Sequence, residues 1–143
     1  MATRGRKRAA PIRIPVMLDV PTASSFKHVD GLAIAKLSGV AANIHEAIEA
    51  IARILASAAE SGVGRLVIDG TGVQGLRPPS LADRHATVRA WAAAADGRVV
   101  MALACSPALM DTERFGIIAA ANFGLRTNVF ASVHDAMAWL ALQ

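Results

Sequence analysis

The sequence predicts a single α/β domain with a mixed β-sheet, in which an N-terminal hairpin is followed by parallel strands and four helices in the order β-β-α-β-α-β-α-β-α. The chain has 143 residues, 54% hydrophobic and 18% charged, which suits one domain with a sizeable core. Short apolar runs rich in β-branched residues alternate with segments of helical periodicity. Strands that alternate with helices require right-handed crossovers, so these strands are expected to be parallel.

The N-terminal part predicts a leader and a hairpin. Residues 1–11 are expected to form a flexible basic leader, and residues 12–143 the folded domain. Ile12–Val20 is predicted as the first strand and Gly31–Val40 as the second, with a turn-rich connection over Pro21–Asp30. The two strands are therefore expected to pair as a loose hairpin.

The middle of the chain predicts a helix, a buried strand and a loop. Asn43 followed by Glu46 is typical of a helix start, because both side chains satisfy backbone N–H groups of the first turn. The helix is expected to end at Gly62, and its apolar stripe consists of Ile44, Ile48, Ile51 and Leu55. Arg65–Asp69 is predicted as a strand buried on both faces, and Gly70–Pro79 as a loop rich in glycine and proline.

The C-terminal half continues the alternation of helix and strand. Ser80 with Asp83 starts the second helix, which carries Val88, Trp91 and Ala95 on one side. This helix is expected to end at Gly97. The elements predicted after it are a strand over Arg98–Cys105, a third helix over Leu109–Phe123 closed by Gly124, a short strand over Asn128–Ala131, and a last helix that starts at Ser132 with Asp135.

The positive charge lies mostly at the N-terminus. The net charge is +4, yet residues 1–13 hold five basic residues and no acid. The rest of the chain therefore carries ten basic and eleven acidic residues, so nucleic-acid or anionic-membrane contact is expected only through the leader. Four Phe, two Trp and no Tyr are too few for stacking platforms on single strands.

Other classes are excluded by composition. The single cysteine, Cys105, rules out an intrachain disulfide framework. No apolar run approaches the roughly 20 residues of a membrane-spanning helix, and no apolar segment follows the N-terminal charges as in a secretory signal. A cytoplasmic globular protein is therefore expected.

Four patches of the sequence resemble a known family. They are Leu-Val-Ile-Asp at 66–69, Ser-Leu-Ala-Asp-Arg at 80–84, Gly-Arg-Val-Val-Met-Ala-Leu-Ala at 97–104, and Asn-Val-Phe-Ala-Ser-Val-His-Asp-Ala-Met-Ala-Trp-Leu at 128–140. Over roughly residues 30–142 the chain resembles the STAS-like proteins, the superfamily of bacterial anti-sigma-factor antagonists, and in particular its small stand-alone members. The resemblance implies a non-enzymatic protein that acts by docking onto a protein partner.

The resemblance also implies a candidate regulatory residue. Switch members of the family carry a phosphorylatable serine where the helix begins after the strand that ends in Asp, and Ser80 occupies that place. This chain departs from the family motif Asp-Ser-x-Gly, since it reads Pro-Pro-Ser-Leu-Ala-Asp after a longer glycine segment. A phosphate on Ser80 would lie at the positive end of a helix with Arg84 as a partner. The alternative is a plain helix cap, which contributes about 1 kcal/mol.

The segment after the Leu-Val-Ile-Asp strand is predicted to be a docking or ligand loop. Its candidate residues are Asp69, Gly70, Thr71, Gly72, Gln74 and Gly75, together with Arg84 on the helix. The glycines match G-x-G-x-x-G, but Pro78-Pro79 separates them from the helix and the next strand does not end in an acid, which disfavours a dinucleotide site. Asp69 is expected either to make a functional contact or to accept backbone N–H groups of the loop.

No catalytic or metal-binding set is predicted. His28, His45, His85 and His134 are dispersed without ligand spacing, and Cys105 is expected to be a buried, inert thiol. An enzyme would have to bring together Asp69, His85 and Cys105. No cofactor is expected, and the two tryptophans are expected in the core or in a dimer contact.

The sequence therefore predicts a regulatory protein-interaction module that docks through residues 70–90. The alternative is a carrier or sensor of a small apolar ligand, with peripheral membrane contact, which the resemblance implies because some members of the wider family hold such ligands. Alanine-rich helix faces and Trp139, expected on an exposed side, also suggest a homodimer.

Overall fold

A computed structural model describes residues 17–110 and 120–143 of the chain. Five strands form one sheet in the order β1-β2-β3-β4-β5. They are β1 (Lys27–Val29), β2 (Leu32–Val40), β3 (Arg65–Gln74), β4 (Val100–Ala104) and β5 (Thr127–Phe130). β1 is antiparallel to β2, and every other neighbouring pair is parallel. The mixed α/β class, with a hairpin followed by parallel strands, is confirmed.

Three helices and part of a fourth accompany the sheet in the described residues. The three are α1 (Ile44–Glu60), α2 (Leu81–Ala95) and α3 (Val133–Leu140), and single 3-10 turns lie at Ala23–Ser25 and Pro107–Leu109. Residues 120–122 are helical. Of the helix predicted over Leu109–Phe123, residues 111–119 lie outside the described part, and so does the predicted leader.

The hairpin lies later in the chain than the sequence pattern indicates. Residues 21–30 were predicted as a connection, yet they contain β1, and the two-residue turn Asp30-Gly31 joins β1 to β2 with φ angles of 51° and 81°. Positive φ at both central residues is the type I′ turn that closes tight hairpins, and it sets Val29 opposite Leu32. Within the described end of the predicted strand Ile12–Val20, only isolated bridges form, from Met17 and Asp19 to the end of β2.

The predicted glycine loop is partly wrong, because β3 continues to Gln74. Its second half stays paired with β2, with Gly72 opposite Ser38 and Gln74 opposite Val40. A register shift after the pair Lys36 and Asp69 inserts one extra residue on β3, so the strand bends without losing its partner. Gly75 then ends the strand at φ +89°, where a Cβ would lie 2.6 Å from the Ala41 carbonyl oxygen.

The sheet is covered on both faces. Alternate side chains of β3 point to opposite sides, so Leu66 and Ile68 pack with α1 and α2, whereas Val67 packs with α3. All three side chains are fully buried, which confirms the prediction of a strand buried on both faces. The larger core therefore lies between the sheet and α1–α2, and the short helix α3 covers the other face.

The predicted helix starts are confirmed by their caps. The Asn43 side chain accepts a hydrogen bond from the Glu46 N–H at 3.0 Å, and the Ser132 hydroxyl accepts one from the Asp135 N–H at 3.1 Å. These bonds satisfy backbone donors of the first helical turn. Among the helices in the described ranges, none is long and apolar enough to span a bilayer.

Candidate functional site

A cavity of about 510 Å³ opens between the sheet and the helices α1 and α2. Its walls are mostly aliphatic and aromatic, from Ile48 on α1, Val88 and Trp91 on α2, and Leu37 and Leu103 on the sheet. Cavities of roughly 300–1,000 Å³ with apolar walls are typical of small-molecule sites. This cavity therefore has the size and lining of a ligand site.

The segment singled out by the sequence contributes to this cavity. Gly70 and Val73 of β3, Leu76 and Pro79 of the connection, and Arg84 of α2 all line it. The connection after β3 therefore forms part of the cavity wall on one side and is exposed to solvent on the other. A ligand inside and a partner outside would contact the same short stretch of chain.

Ser80 is the N-cap of α2 in a capping box. Its hydroxyl accepts a hydrogen bond from the Asp83 N–H at 3.1 Å, and the Asp83 carboxylate accepts one from the Ser80 N–H at 3.0 Å. The Ser80 N–H, followed by the Ser80 side chain, holds the pKa of Asp83 below its ordinary value, and His45 at 3.6 Å acts in the same direction. The structural role predicted for Ser80 is therefore present, and Ser80 is also exposed.

The other candidate residues do not form one surface. Asp69 accepts hydrogen bonds from the Thr71 hydroxyl at 2.6 Å and from the Thr71 N–H at 3.1 Å. By strand alternation with Val67, the Asp69 side chain lies on the α3 face of the sheet, opposite the cavity. The structural role predicted for Asp69, a local backbone cap, is the one that these bonds show. Gly72 and Gln74 are exposed and pair with β2.

The three side chains that an enzyme would require are not brought together. Cys105 lines the cavity, and burial raises its pKa to about 11, so the thiol is protonated near neutral pH. Asp69 lies on the opposite face of the sheet, and His85 is exposed and does not line the cavity. Across residues 17–110 and 120–143, no three His, Cys, Asp or Glu side chains are grouped as metal ligands.

Two features of the site are not predicted by the sequence pattern. The Trp91 Nε1–H donates to the Ile48 carbonyl oxygen at 3.0 Å and so ties α2 to α1. The Thr127 hydroxyl is buried in the cavity wall without a hydrogen-bond partner in the described structure. The helical spacing of Trp91 from Val88 and Ala95 indicated its inward position, but no sequence signal marks Thr127.

Trp139 packs against the sheet. Its ring centroid lies 5.9 Å from that of Phe130, and both side chains contact the cluster under α3. The prediction of an exposed Trp139 on a dimer face is therefore wrong in part, since the ring is half-buried within its own domain. Self-association itself stays a prediction.

Comparison with known proteins supports the fold. No protein-family model matches the chain, and no curated protein matches it by sequence. The crystal structure of an anti-sigma factor antagonist from Mycobacterium paratuberculosis matches with a TM-score of 0.50 at 17% sequence identity. The match covers 81% of this chain and 91% of the other. The chain therefore shares the mixed α/β fold of that structure.

Proposed function

We propose that the protein is a non-enzymatic, cytoplasmic regulatory module that binds a protein partner through the segment and helix around residues 70–90. The observation that carries the proposal is the shared fold with a protein described as an anti-sigma factor antagonist. Such a protein acts by binding another protein, and the separation of Asp69, His85 and Cys105 supports the same mode of action here.

The exposed side of this segment supports a partner with an acidic surface. Three arginines and one aspartate lie within residues 70–90, whereas the chain beyond residue 13 has one more acid than base. Arg77 and Arg89 are exposed, and the apolar side chain of Leu81 is 59% exposed between them in the sequence. An apolar anchor with flanking charge is a common arrangement in protein interfaces, because the anchor contributes affinity and the charges speed association.

Ser80 would regulate this contact. A phosphate on its exposed hydroxyl would add nearly two negative charges beside the Asp83 carboxylate and within the basic segment. The added charge would weaken binding to an acidic partner by repulsion. Ser80 is thus proposed as both a helix cap and a phospho-acceptor.

Charge reversal tests the docking surface. The full chain is used to isolate a partner, and the dissociation constant of that identified partner is then measured with R77E/R89E, with L81A and with R53E. Arg53 is an exposed arginine on α1, outside the segment, so R53E is the matched control. We expect R77E/R89E and L81A to weaken binding at least about tenfold, which corresponds to 1.4 kcal/mol, and R53E to leave it unchanged. Equal binding by all variants would exclude this surface.

A second function, the carriage or sensing of a small apolar ligand, is favoured by the cavity between the sheet and α1–α2. Peripheral membrane contact through the basic leader would accompany it. Native mass spectrometry of protein purified without detergent tests this function. We expect a bound mass that is lost on denaturation, and a clean apo mass under gentle conditions would contradict it.

A further inference from the structure

Among the described residues that line the cavity, Thr127 has a buried hydroxyl group that the protein leaves unsatisfied. The Thr127 hydroxyl lies in the wall, buried, and makes no hydrogen bond within the described structure. A buried hydroxyl without a partner is costly, and native proteins usually satisfy such groups with protein, water or a ligand. Because Thr127 is the first residue of β5 and pairs with Met101, this group lies towards the amino ends of the strands.

Among the described lining residues, only Arg84 carries a charge, so most of the wall offers a charged ligand no counter-charge. Arg84 lines the cavity, but it already takes part in another interaction. Cys105, which also lines the cavity, is a protonated thiol near neutral pH because its burial disfavours the thiolate. Moving a charged ligand from water into a cavity with mostly aliphatic walls is unfavourable, because the ligand loses its hydration and gains no counter-charge of its own.

We propose that the cavity binds an uncharged, mostly apolar small molecule that carries one hydroxyl or carbonyl group, and that this group hydrogen-bonds to the Thr127 hydroxyl. The apolar body of the ligand lies against Val88, Leu103 and Val129, which line the same cavity. This inference rests on the second function proposed above and specifies the chemistry of its ligand.

Displacement of an uncharged fluorescent probe tests the proposal. The intact protein is loaded with N-phenyl-1-naphthylamine, and 1-octanol and octanoate are compared as competitors at pH 8. We expect octanol to displace the probe at a concentration at least about tenfold lower than octanoate. The T127V variant keeps the shape and β-branching of the side chain, so it is expected to fold, and it should raise the octanol concentration needed by about threefold to tenfold. T22V makes the same change at an exposed position that does not line the cavity, so it should have no effect.

The position of the ligand is checked on the wild-type protein, so that no variant has to fold. The methyl NMR signals of Val88, Leu103 and Val129, which line the cavity, should shift when octanol is added. The methyl signals of Val67 and Val133, which pack between the sheet and α3, should not shift. Absence of probe and octanol binding, or shifts only under α3, would overturn the ligand function together with this inference. Binding in the cavity with equal affinity for octanoate, or without a T127V effect, would overturn the inference alone.

Discussion

Replacing Ser80 with alanine removes the acceptor that closes the first turn of α2. The Ser80 hydroxyl accepts a hydrogen bond from the Asp83 N–H at 3.1 Å. The reciprocal bond to the Asp83 carboxylate is donated by the backbone N–H of residue 80, so it survives the change. One of the two bonds in the capping box is therefore lost. Loss of an N-cap acceptor costs about 1 kcal/mol. For a 143-residue domain, the unfolding entropy converts this loss into a fall in Tm of about 3 °C.

Urea and thermal denaturation of S80A, S80D and S106A measure this effect. Ser106 precedes the 3-10 turn Pro107–Leu109 and makes no side-chain cap bond, so S106A is the matched control, expected within about 0.5 kcal/mol of wild type. S80D should retain most of the stability because aspartate is also a good N-cap. This variant therefore adds a negative charge without removing the cap, which distinguishes the two effects. An S80A protein as stable as S106A would refute the capping role and leave Ser80 without a structural function.

Three further predictions concern the rest of the domain. The pKa of Asp83 is lowered in the folded state, so its contribution to stability is present above the ordinary carboxyl pKa of 3.8 and is lost as the pH falls through the lowered value; D83N should therefore flatten the acid limb of a pH–stability curve. With its thiol pKa raised to about 11, Cys105 should react with iodoacetamide at pH 7.5 at least about tenfold more slowly in native than in urea-unfolded protein, and equal rates would contradict its burial. L140A should destabilise the domain by about 2–5 kcal/mol in urea denaturation, because the Leu140 side chain on α3 is fully buried against the sheet. L142A, at a position that is 85% exposed, should change the stability by less than about 0.5 kcal/mol.

The starts of the helices and the class of the fold were predictable from local chemistry. A cap residue and an acid three positions later mark the starts of α1, α2 and α3, and in each helix the cap side chain accepts a hydrogen bond from the backbone N–H of that acid. The hairpin turn Asp30-Gly31 also carries a local signal, since these residue types tolerate positive φ. The strand predicted over Ile12–Val20 nevertheless placed the hairpin earlier in the chain. The continuation of β3 through Gly72 carries no such signal, because its pairing partner Ser38 is 34 residues away in the chain.

By itself, the sequence determined the order of the elements, the buried strand Leu66–Ile68 and the capping role of Ser80. These depend on periodicity and on hydrogen bonds between near neighbours. Only the tertiary structure decided that Asp69 and Cys105 lie on opposite faces of the sheet, that α1 and α2 leave a cavity above it, and that the Thr127 hydroxyl lies unsatisfied in the cavity wall. The physical reason is that a cavity arises from how side chains distant in the chain fail to fill a shared volume, which no local pattern records.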